Sequence, residues 1–352
     1  DASSEVLASQ GDDTDRDGRA DEIAFLVDLP AHGETAVYVY GLSAPYRPAE
    51  PFEKQANIHM AVKEAGGTVE RDHVISESGN MWSRAQHHGP AWESALIAYR
   101  IYFDKKSAID VYGKRQYQLE IDRTKWYTSK KLLKQGYGED VLLVGKSFGV
   151  GAVRGWDGDR DVMQHPVKQR EAHVIADSPV RAVLEMKSVG WRSDGRELDL
   201  ASQFVIYGGR RATVHRVTLE GFEGEPPLLC TGLVKIKDAV IRQESTGKCG
   251  FLAQWGSEGA VPNASVKQTV GLAVVVPPEH FGGFAETAES HVALLQPDRK
   301  GNVTFAFTAA WSKEPGAPAD AEAFTALVHD LSRDMLEQAV TLSEPVRETR
   351  PK

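Results

Sequence analysis

The sequence predicts a mainly β protein, a large antiparallel β-sandwich that ends in a single helix. Short segments of β-branched and aromatic residues recur along the chain, each bounded by Gly, Pro, Asp or Asn. Glycine (32 residues) and proline (17 residues) are frequent between these segments. Long helical periodicity occurs once, near the C-terminus. Many strands followed by one late helix favour a sandwich over a fold of alternating strands and helices.

The predicted elements follow one another as a long series of strands and then the helix. The strands span residues 23–29, 35–40, 95–103, 108–112, 141–144, 180–186, 202–207, 213–219, 228–236, 270–276, 292–295 and 303–309. The helix spans residues 319–342, with apolar side chains at helical spacing: Phe324, Leu327, Val328, Leu331, Met335, Ala339 and Leu342. Asp320 opens this helix and Pro345 ends it.

The length of the chain, 352 residues, is enough for one large domain or two ordinary ones, and for a sizeable core. No clear linker divides the sequence, so we predict a single domain over residues 1–352. Within it, residues 1–45 form a short N-terminal β-unit. The proline-bearing stretch 45–51 either separates this unit from the main body or, as we prefer, is an ordinary loop.

Charge and composition exclude several classes of function. The net charge is −9, from 41 basic and 50 acidic residues, which is the wrong sign for a nucleic-acid-binding protein. No run of apolar residues is long enough to span a membrane. An anionic substrate stays possible, because a basic cleft can lie within an acidic surface. Only two cysteines occur, which excludes a disulfide-rich framework and a cysteine-built zinc site.

The start of the chain bears on its location. It begins at Asp1 without a methionine, as a mature chain does once a signal peptide has been removed. We therefore expect a periplasmic or secreted protein, with a trimmed expression product as the alternative. In an oxidising compartment Cys230 and Cys249 could form a disulfide, and two separate buried thiols are the equal alternative.

An acidic loop near the N-terminus is a candidate calcium site. Acids alternate along it and a glycine that permits a sharp turn, Gly18, follows the third of them. The predicted ligands are Asp13, Asp15, Asp17 and Asp21. The usual closing carboxylate is missing, because Ala24 occupies its place. The loop is therefore either a structural calcium site or a solvated acidic turn.

The densest group of polar and aromatic residues lies between residues 81 and 137. In the predicted strand 95–103, Arg100 and Tyr102 share one face and the alternate residues form the core face. The next strand adds Tyr112 and Lys114 to the polar face, as a sugar-binding sheet would. Beside that face is a rigid His–His–Gly–Pro turn, and adjacent histidines point in different directions. Its members and neighbours are candidates for catalysis or binding: Arg84, His87, His88, Trp92, Glu93 and Tyr137.

Further candidates lie along the rest of the chain. Glycines around residues 145–151 match no phosphate-binding motif and indicate tight turns of a curved sheet. This makes Lys146 and Arg154 possible rim residues. His215 lies on a strand face that is either core or cleft. No Gly-x-Ser-x-Gly motif is present, so a hydrolase nucleophile elbow is not supported.

Several segments together resemble a known family. These are Asp-Gly-Arg-Ala-Asp-Glu-Ile (17–23), His-Gly-Pro-Ala-Trp-Glu-Ser (88–94), Ala-Tyr-Arg-Ile-Tyr-Phe-Asp (98–104), Ile-Asp-Val-Tyr-Gly-Lys (109–114) and Gly-Tyr-Gly-Glu-Asp-Val-Leu-Leu-Val-Gly-Lys-Ser (136–147). Over nearly its whole length the chain resembles a bacterial family of unknown function. That family is similar to the galactose-mutarotase-like β-supersandwich superfamily, and it is related to an ulvan oligosaccharide dehydratase.

The resemblance implies β-elimination on the non-reducing-end uronic acid of polysaccharide-derived oligosaccharides. Loss of water would leave a 4,5-unsaturated sugar. Such a reaction needs a cation for the carboxylate, a base for the C5 proton and an acid for the departing hydroxyl. We expect Arg100, His88 and Tyr102 in these roles, with no cofactor for catalysis. Arg84 is an alternative for the carboxylate, His87 is an alternative base, and Tyr112 and Tyr137 are alternative acids.

Other functions stay open at this point. A polysaccharide lyase removes the same proton but cleaves the chain. A glycoside hydrolase would use two carboxyl groups, from among Glu93, Asp104, Glu139 and Asp140. A mutarotase would leave no change in mass. A non-catalytic carbohydrate-binding domain would bind through its Trp and Tyr side chains alone.

Overall fold

A computed structural model describes residues 6–29, 33, 35–39, 52–177, 179–193, 195–245, 249–258 and 268–336. Its strands are short at the N-terminus and long in the second half of the chain. In order they are β1 (Ser9–Asp12), β2 (Glu22–Phe25), β3 (Ala56–His59), β4 (Ala61–Glu64), β5 (Gly67–Glu70), β6 (His73–Ser76), β7 (Ala91–Ser94), β8 (Ile97–Ile101), β9 (Ile109–Gly113), β10 (Glu139–Asp140), β11 (Val150–Trp156), β12 (Asp161–Val162), β13 (Gln169–Asp177), β14 (Arg181–Ser193), β15 (Arg196–Tyr207), β16 (Thr213–Glu220), β17 (Leu229–Val234), β18 (Val240–Ser245), β19 (Gly250–Glu258), β20 (Gln268–Val276), β21 (Phe281–Glu286), β22 (Ser290–Leu295) and β23 (Asn302–Trp311).

Helices are few among the described residues. They are α1 (Ile121–Thr124), α2 (Lys130–Lys134) and α3 (Ala321–Leu336), with 3₁₀ turns at Gln86–His88 and Pro278–His280. No described helix is long and apolar enough to cross a membrane.

One nine-stranded sheet organises the fold. Its strand order is β18-β19-β20-β23-β16-β15-β14-β13-β6, and neighbouring strands pair antiparallel. Two five-stranded sheets, β10-β9-β8-β7-β3 and β12-β11-β17-β22-β21, pack side by side on one face of it. The main core lies between the nine-stranded sheet and these two smaller sheets. Trp92 of β7, for example, stacks on Phe204 of β15, with ring centroids 4.7 Å apart.

Helix α3 and the β1–β2 hairpin cover parts of the opposite face of the large sheet. Phe324 and Val328 of α3 are buried against β19, β20 and β23. Ion pairs attach the hairpin to the large sheet. The buried Arg181 of β14 donates to Asp12 of β1 and to Glu22 of β2. The fold is therefore a set of stacked layers whose outer surfaces are polar.

The predicted fold class is confirmed, since the chain is mainly β with antiparallel sheets and a late helix. The predicted helix 319–342 begins at Ala321 and continues to Leu336, and residues 337–342 lie outside the described part. Two strand predictions were wrong: residues 35–39 and 141–144 form no strand. Several strands were missed. Two of them, β5 and β18, consist of mostly exposed residues that carry no alternating pattern. The stretch 45–51 lies outside the described residues.

The two cysteines are separate free thiols. Cys230 lies within β17, and Cys249 directly precedes β19, so the two belong to different sheets. Burial raises the pKa of both thiols. Neither is a reactive, low-pKa thiol.

Gly149 lies in a turn that passes very close to β9. Gly149 has a φ of +69°, and a Cβ there would lie 1.7 Å from the carbonyl oxygen of Ile109. We expect Gly149→Ala to lower the free energy of unfolding by about 1–3 kcal/mol. Gly145→Ala is the matched control, because Gly145 also has a positive φ but a Cβ there meets nothing within 4 Å. Equal losses in urea denaturation would contradict the steric explanation.

Candidate active site

The site is built on the outer face of the sheet β10-β9-β8-β7-β3. Side chains alternate along β8, so Ile97, Tyr99 and Ile101 enter the core, whereas Ala98 and Arg100 point outward. Arg100 lies directly opposite Asp110 of β9. The predicted separation of the two faces is therefore confirmed.

Most of that outer face is covered. Residues 115–137, called here the covering segment, carry α1 and α2 and cross the sheet. Ile121 and Trp126 of this segment are buried against Ala91, Ala98 and Tyr112. The prediction that Tyr112 binds substrate was wrong, because its side chain is buried and its hydroxyl lies 2.8 Å from Thr128 Oγ1.

Glu93 and Lys114 anchor the covering segment and cannot contact substrate. They form an ion pair with 0% exposure at both residues. Glu93 also accepts from the backbone amides of Glu120 and Ile121 at the start of α1. Lys114 donates to two backbone carbonyls, those of Ser94 and Gln118. Their prediction as substrate-binding residues was wrong, since the polar pattern reflects a buried, fully paired network.

Three further predicted binding residues are also structural. The indole nitrogen of Trp92 donates to Thr213 Oγ1 at 3.0 Å, inside the main core. His215 is fully buried, and its Nδ1 lies 3.1 Å from the carbonyl oxygen of Gly151. Arg154 is 2% exposed and donates to Asp161 and to the carbonyl of Ser147. Lys146 is exposed on the surface nearby, where only its backbone carbonyl contacts Arg154.

Arg100 lies at the centre of the remaining polar network. Its guanidinium donates to Asp110 Oδ2 at 2.7 Å, to the carbonyl of His87 at 2.9 Å and to the hydroxyls of Tyr102 at 2.8 Å and Tyr127 at 2.9 Å. It also lies over the ring of Trp126, 4.5 Å from the centroid. Arg100 is 1% exposed and its donors are engaged. The expectation that it binds a substrate carboxylate was therefore wrong; it positions the groups around it.

One acid and one phenol beside Arg100 have raised pKa values. Burial and the neighbouring Asp110 raise the pKa of Asp140, whose carboxylate lies 3.5 Å from Arg100. Burial and Asp110 also raise the pKa of Tyr102 far above its usual value. The Tyr102 hydroxyl donates to Asp110 Oδ2 at 3.0 Å, so its one proton is already committed.

His88 is the titratable group at the edge of this network. Its ring stacks on Trp82, with centroids 3.8 Å apart, and its Nδ1 lies 3.0 Å from the Trp82 carbonyl oxygen. A carbonyl only accepts, so Nδ1 carries the proton and Nε2 presents a lone pair. Nε2 has no hydrogen-bond partner among the described residues. Partial burial lowers the pKa of His88 below 6.5, which favours the neutral, basic form.

His87 points the other way, into the protein. Its Nε2 lies 3.0 Å from His59 Nδ1, and His59 Nε2 lies 2.7 Å from Lys125 Nζ. Burial holds the pKa of His87 well below its usual range. The prediction of His87 as a catalytic group was wrong, since its side chain is buried. The expectation that the adjacent histidines diverge is confirmed.

The backbone is strained on both sides of Arg100. His87 and His88 have positive φ angles of 39° and 73°, and Lys125 and Trp126 have 52° and 70°. Such angles are costly for residues other than glycine and concentrate at functional sites. At this site the positive φ angles of His87 and His88 turn the His88 imidazole outward. Those of Lys125 and Trp126 place the Tyr127 ring beside it.

The accessible part of the site is an aromatic surface. We call Trp82, His88, Tyr102 and Tyr127 the His88 patch; Trp82 is 42% and Tyr127 48% exposed. The ring of His88 lies 6.2 Å from that of Tyr102 and 6.0 Å from that of Tyr127. Exposed aromatic faces next to polar groups suit the stacking of sugars.

Cations border the His88 patch. Lys106 Nζ lies 4.7 Å from the centre of the Tyr102 ring, and Arg84 is exposed two residues after Trp82. Tyr137 is not part of the patch; its ring lies under Arg123, 5.0 Å away. The predicted role of Tyr137 in catalysis is not supported by this position.

Sequence reasoning missed Tyr127, Trp126, His59 and Lys125. All four reach the site from elements distant in sequence or from the covering segment. The one local signal was the run Lys125-Trp126-Tyr127, an aromatic pair beside a cation between two short helices. That this run lies beside Arg100 follows only from the packing of the covering segment onto the sheet.

The acidic loop is folded around its carboxylates. Oxygens of Asp13, Asp15 and Asp21 lie within 4.8 Å of one another. Asp17 does not belong to this group; its carboxylate accepts from the backbone amide of Arg19. Calcium binding at this loop stays a prediction.

Comparisons with known proteins show the family of this chain and a weak likeness to a solved structure. The family model described as "Domain of unknown function (DUF4861)" matches residues 1–342. No curated protein matches the chain. A crystal structure of a putative aldose 1-epimerase from Klebsiella pneumoniae subsp. pneumoniae MGH 78578 is similar at 8% identity and a TM-score of 0.38, covering 84% of this chain and 100% of that one.

Proposed function

We propose a function for this chain from the premise that it belongs to the DUF4861 family, whose function is unknown. The chain acts on an acidic carbohydrate at the His88 patch. It removes water by β-elimination from the non-reducing-end uronic acid of an oligosaccharide, which leaves a 4,5-unsaturated sugar. This proposal rests on Nε2 of His88, which has no hydrogen-bond partner among the described residues and lies beside two tyrosines that Arg100 orients.

His88 serves as the base. Stacking on Trp82 and the bond from Nδ1 to the Trp82 carbonyl fix the ring and its tautomer. The lone pair on Nε2 then accepts the C5 proton of the sugar. A neutral imidazole near physiological pH has a pKa suited to this transfer.

Tyr127 is better placed than Tyr102 to protonate the departing hydroxyl. The Tyr102 proton is bound by Asp110, whereas the Tyr127 oxygen accepts from Arg100. Its own proton is therefore available to a ligand, and its ring is half exposed. Arg100 would stabilise the phenolate that forms when Tyr127 gives up this proton. Tyr102 helps to hold Arg100.

The carboxylate of the sugar requires a cation other than Arg100. Lys106 is the best candidate, because its amino group lies over the Tyr102 ring at the border of the His88 patch. Its other contacts are weak: the Gly145 carbonyl at 3.2 Å and Asp104 at 4.0 Å. Neutralising the carboxylate acidifies the C5 proton.

Glycoside hydrolysis has less support in this arrangement. It needs two carboxyl groups that face one open site. Of the acids considered, Glu93 is sealed in its pair with Lys114 and Glu139 is paired with Arg115. An ultraviolet assay separates the reactions, since elimination creates a conjugated double bond that absorbs and hydrolysis does not. Absorbance that develops with uronate-ended oligosaccharides supports elimination; new reducing ends without absorbance would contradict it.

The activity should depend on pH through His88. Its pKa lies below 6.5, and only the neutral ring can act as base. We therefore expect kcat/KM to stay level near neutral pH and to fall as the pH drops through this lowered pKa. A pH–rate profile with an acid midpoint below 6.5 agrees with this role. A rate that rises as the pH falls would contradict it.

A further inference from the structure

A second cluster of ligand-type side chains lies away from the His88 patch, on the edge of the nine-stranded sheet. His73 of the edge strand β6 is directly opposite His173 of β13. Glu171 lies two residues before His173 and therefore on the same face of the sheet. The three side chains converge without any change in the backbone.

The distances within this cluster suit a bound ion. One donor atom from each of His73, Glu171 and His173 lies within 4.8 Å of the others. The two imidazole rings stack with centroids 3.9 Å apart and planes 16° from parallel, and His173 Nε2 lies 2.9 Å from Glu171 Oε2. Among the described residues, the other such group is the exposed acidic loop, which has no nitrogen donors.

We propose that His73, Glu171 and His173 form a binding site for a divalent first-row transition metal of the zinc type. Two imidazoles and one carboxylate are the ligand set such ions prefer, whereas calcium and magnesium prefer oxygen alone. An ion at this place is bound by one ring nitrogen of each histidine and by a carboxylate oxygen of Glu171. It replaces the hydrogen bond between His173 and Glu171 and ties the edge strand to β13.

Charges around the cluster do not oppose a cation strongly. Lys187 lies opposite Glu171, but its amino group is 3.7 Å from Asp199. Arg16 is paired with Glu185 at 3.0 Å. Each nearby positive charge is thus partly neutralised by a carboxylate.

The site also adjoins a cavity. Polar residues form a row of cross-strand neighbours over the sheet: His73, His173, Glu185, Gln203, Arg216 and Thr304. The last four of them line a cavity of about 240 Å³. Three protein ligands leave at least one coordination position free, as catalytic metal sites do. The ion therefore lies at one end of a polar groove that has room for a small ligand.

Metal titration of the full chain tests this site independently of any activity. Co²⁺ is the probe, because its visible absorption reports nitrogen ligands, and Zn²⁺ competes for the same place. We expect one equivalent to bind, and His73→Ala, His173→Ala and Glu171→Gln each to weaken binding by about tenfold or more. His280→Ala is the matched control, a partly exposed histidine next to β21. Circular dichroism verifies that each variant is folded.

The outcomes are distinct. Loss of binding in the three variants, but not in His280→Ala, supports the site. Absence of Co²⁺ binding by the wild-type chain overturns it, and so does binding that the three substitutions leave unaltered. Binding abolished only by Asp13→Asn would assign the ion to the acidic loop and would also overturn it. None of these outcomes bears on the reaction at the His88 patch.

Discussion

Replacing His88 with alanine is expected to lower kcat by about 10²- to 10⁴-fold, the usual contribution of a positioned general base. The physical reason is Nε2, which forms no hydrogen bond with any described residue; alanine removes it while Trp82, Tyr102 and Tyr127 stay in place. The expected loss is in kcat more than in KM, because the proton is transferred in the transition state. The measurement is initial rates of ultraviolet absorbance with a uronate-ended oligosaccharide.

A second histidine provides the control for that experiment. His280 also has Nδ1 close to a backbone carbonyl, that of Gln296 at 3.1 Å, but it lies near a different sheet. His280→Ala should keep wild-type turnover. His88→Gln keeps the bulk of the side chain and should lose the activity as alanine does. Near-normal kcat in His88→Ala would remove His88 from the mechanism.

Breaking the buried pair beneath the covering segment is expected to destabilise the whole protein. Lys114→Met leaves Glu93 charged and unpaired in a site with no exposure. Loss of one partner of such a pair costs about 3–5 kcal/mol in the free energy of unfolding. Urea denaturation followed by circular dichroism measures this loss.

Two further variants distinguish the stability lost with the ion pair from the stability lost by removing any lysine side chain. Lys130→Met changes an exposed lysine at the start of α2 and should alter stability by no more than about 0.5 kcal/mol. Adding Glu93→Gln to Lys114→Met removes the unpaired charge, so the double variant should be more stable than Lys114→Met alone. A double variant that is less stable would contradict this explanation. Because Glu93 anchors α1, Lys114→Met should also loosen the segment that carries Tyr127.

The pattern along the strands was sufficient to predict the two faces of β8. Alternation placed Ile97, Tyr99 and Ile101 in the core and Arg100 outside it, and the structure agrees. Local periodicity cannot show what lies above an outer face. The covering segment, residues 115–137, packs onto the outer face of this sheet. It buries Glu93, Tyr112 and Lys114, which the sequence had indicated as binding residues.

The site itself could be predicted only in part. The His–His–Gly–Pro turn indicated that the two imidazoles would point in different directions, and they do: His88 stacks on Trp82, whereas His87 contacts His59. The sequence could not show that Arg100 is saturated, because the His87 carbonyl and Tyr127 reach it only through the packing of the turn and of the covering segment. The cross-strand pair of His73 and His173 was missed because the two strands are separated by about a hundred residues of chain.

The most direct test of the central claim is mass spectrometry of the products formed from uronate-ended oligosaccharides. We predict that the wild-type chain removes one water from the oligosaccharide without shortening it, and that His88→Ala leaves the mass unaltered. Shortened chains with an unsaturated end would instead indicate a lyase. Shortened, saturated chains, or no change with the wild-type protein, would contradict elimination of water at the His88 patch.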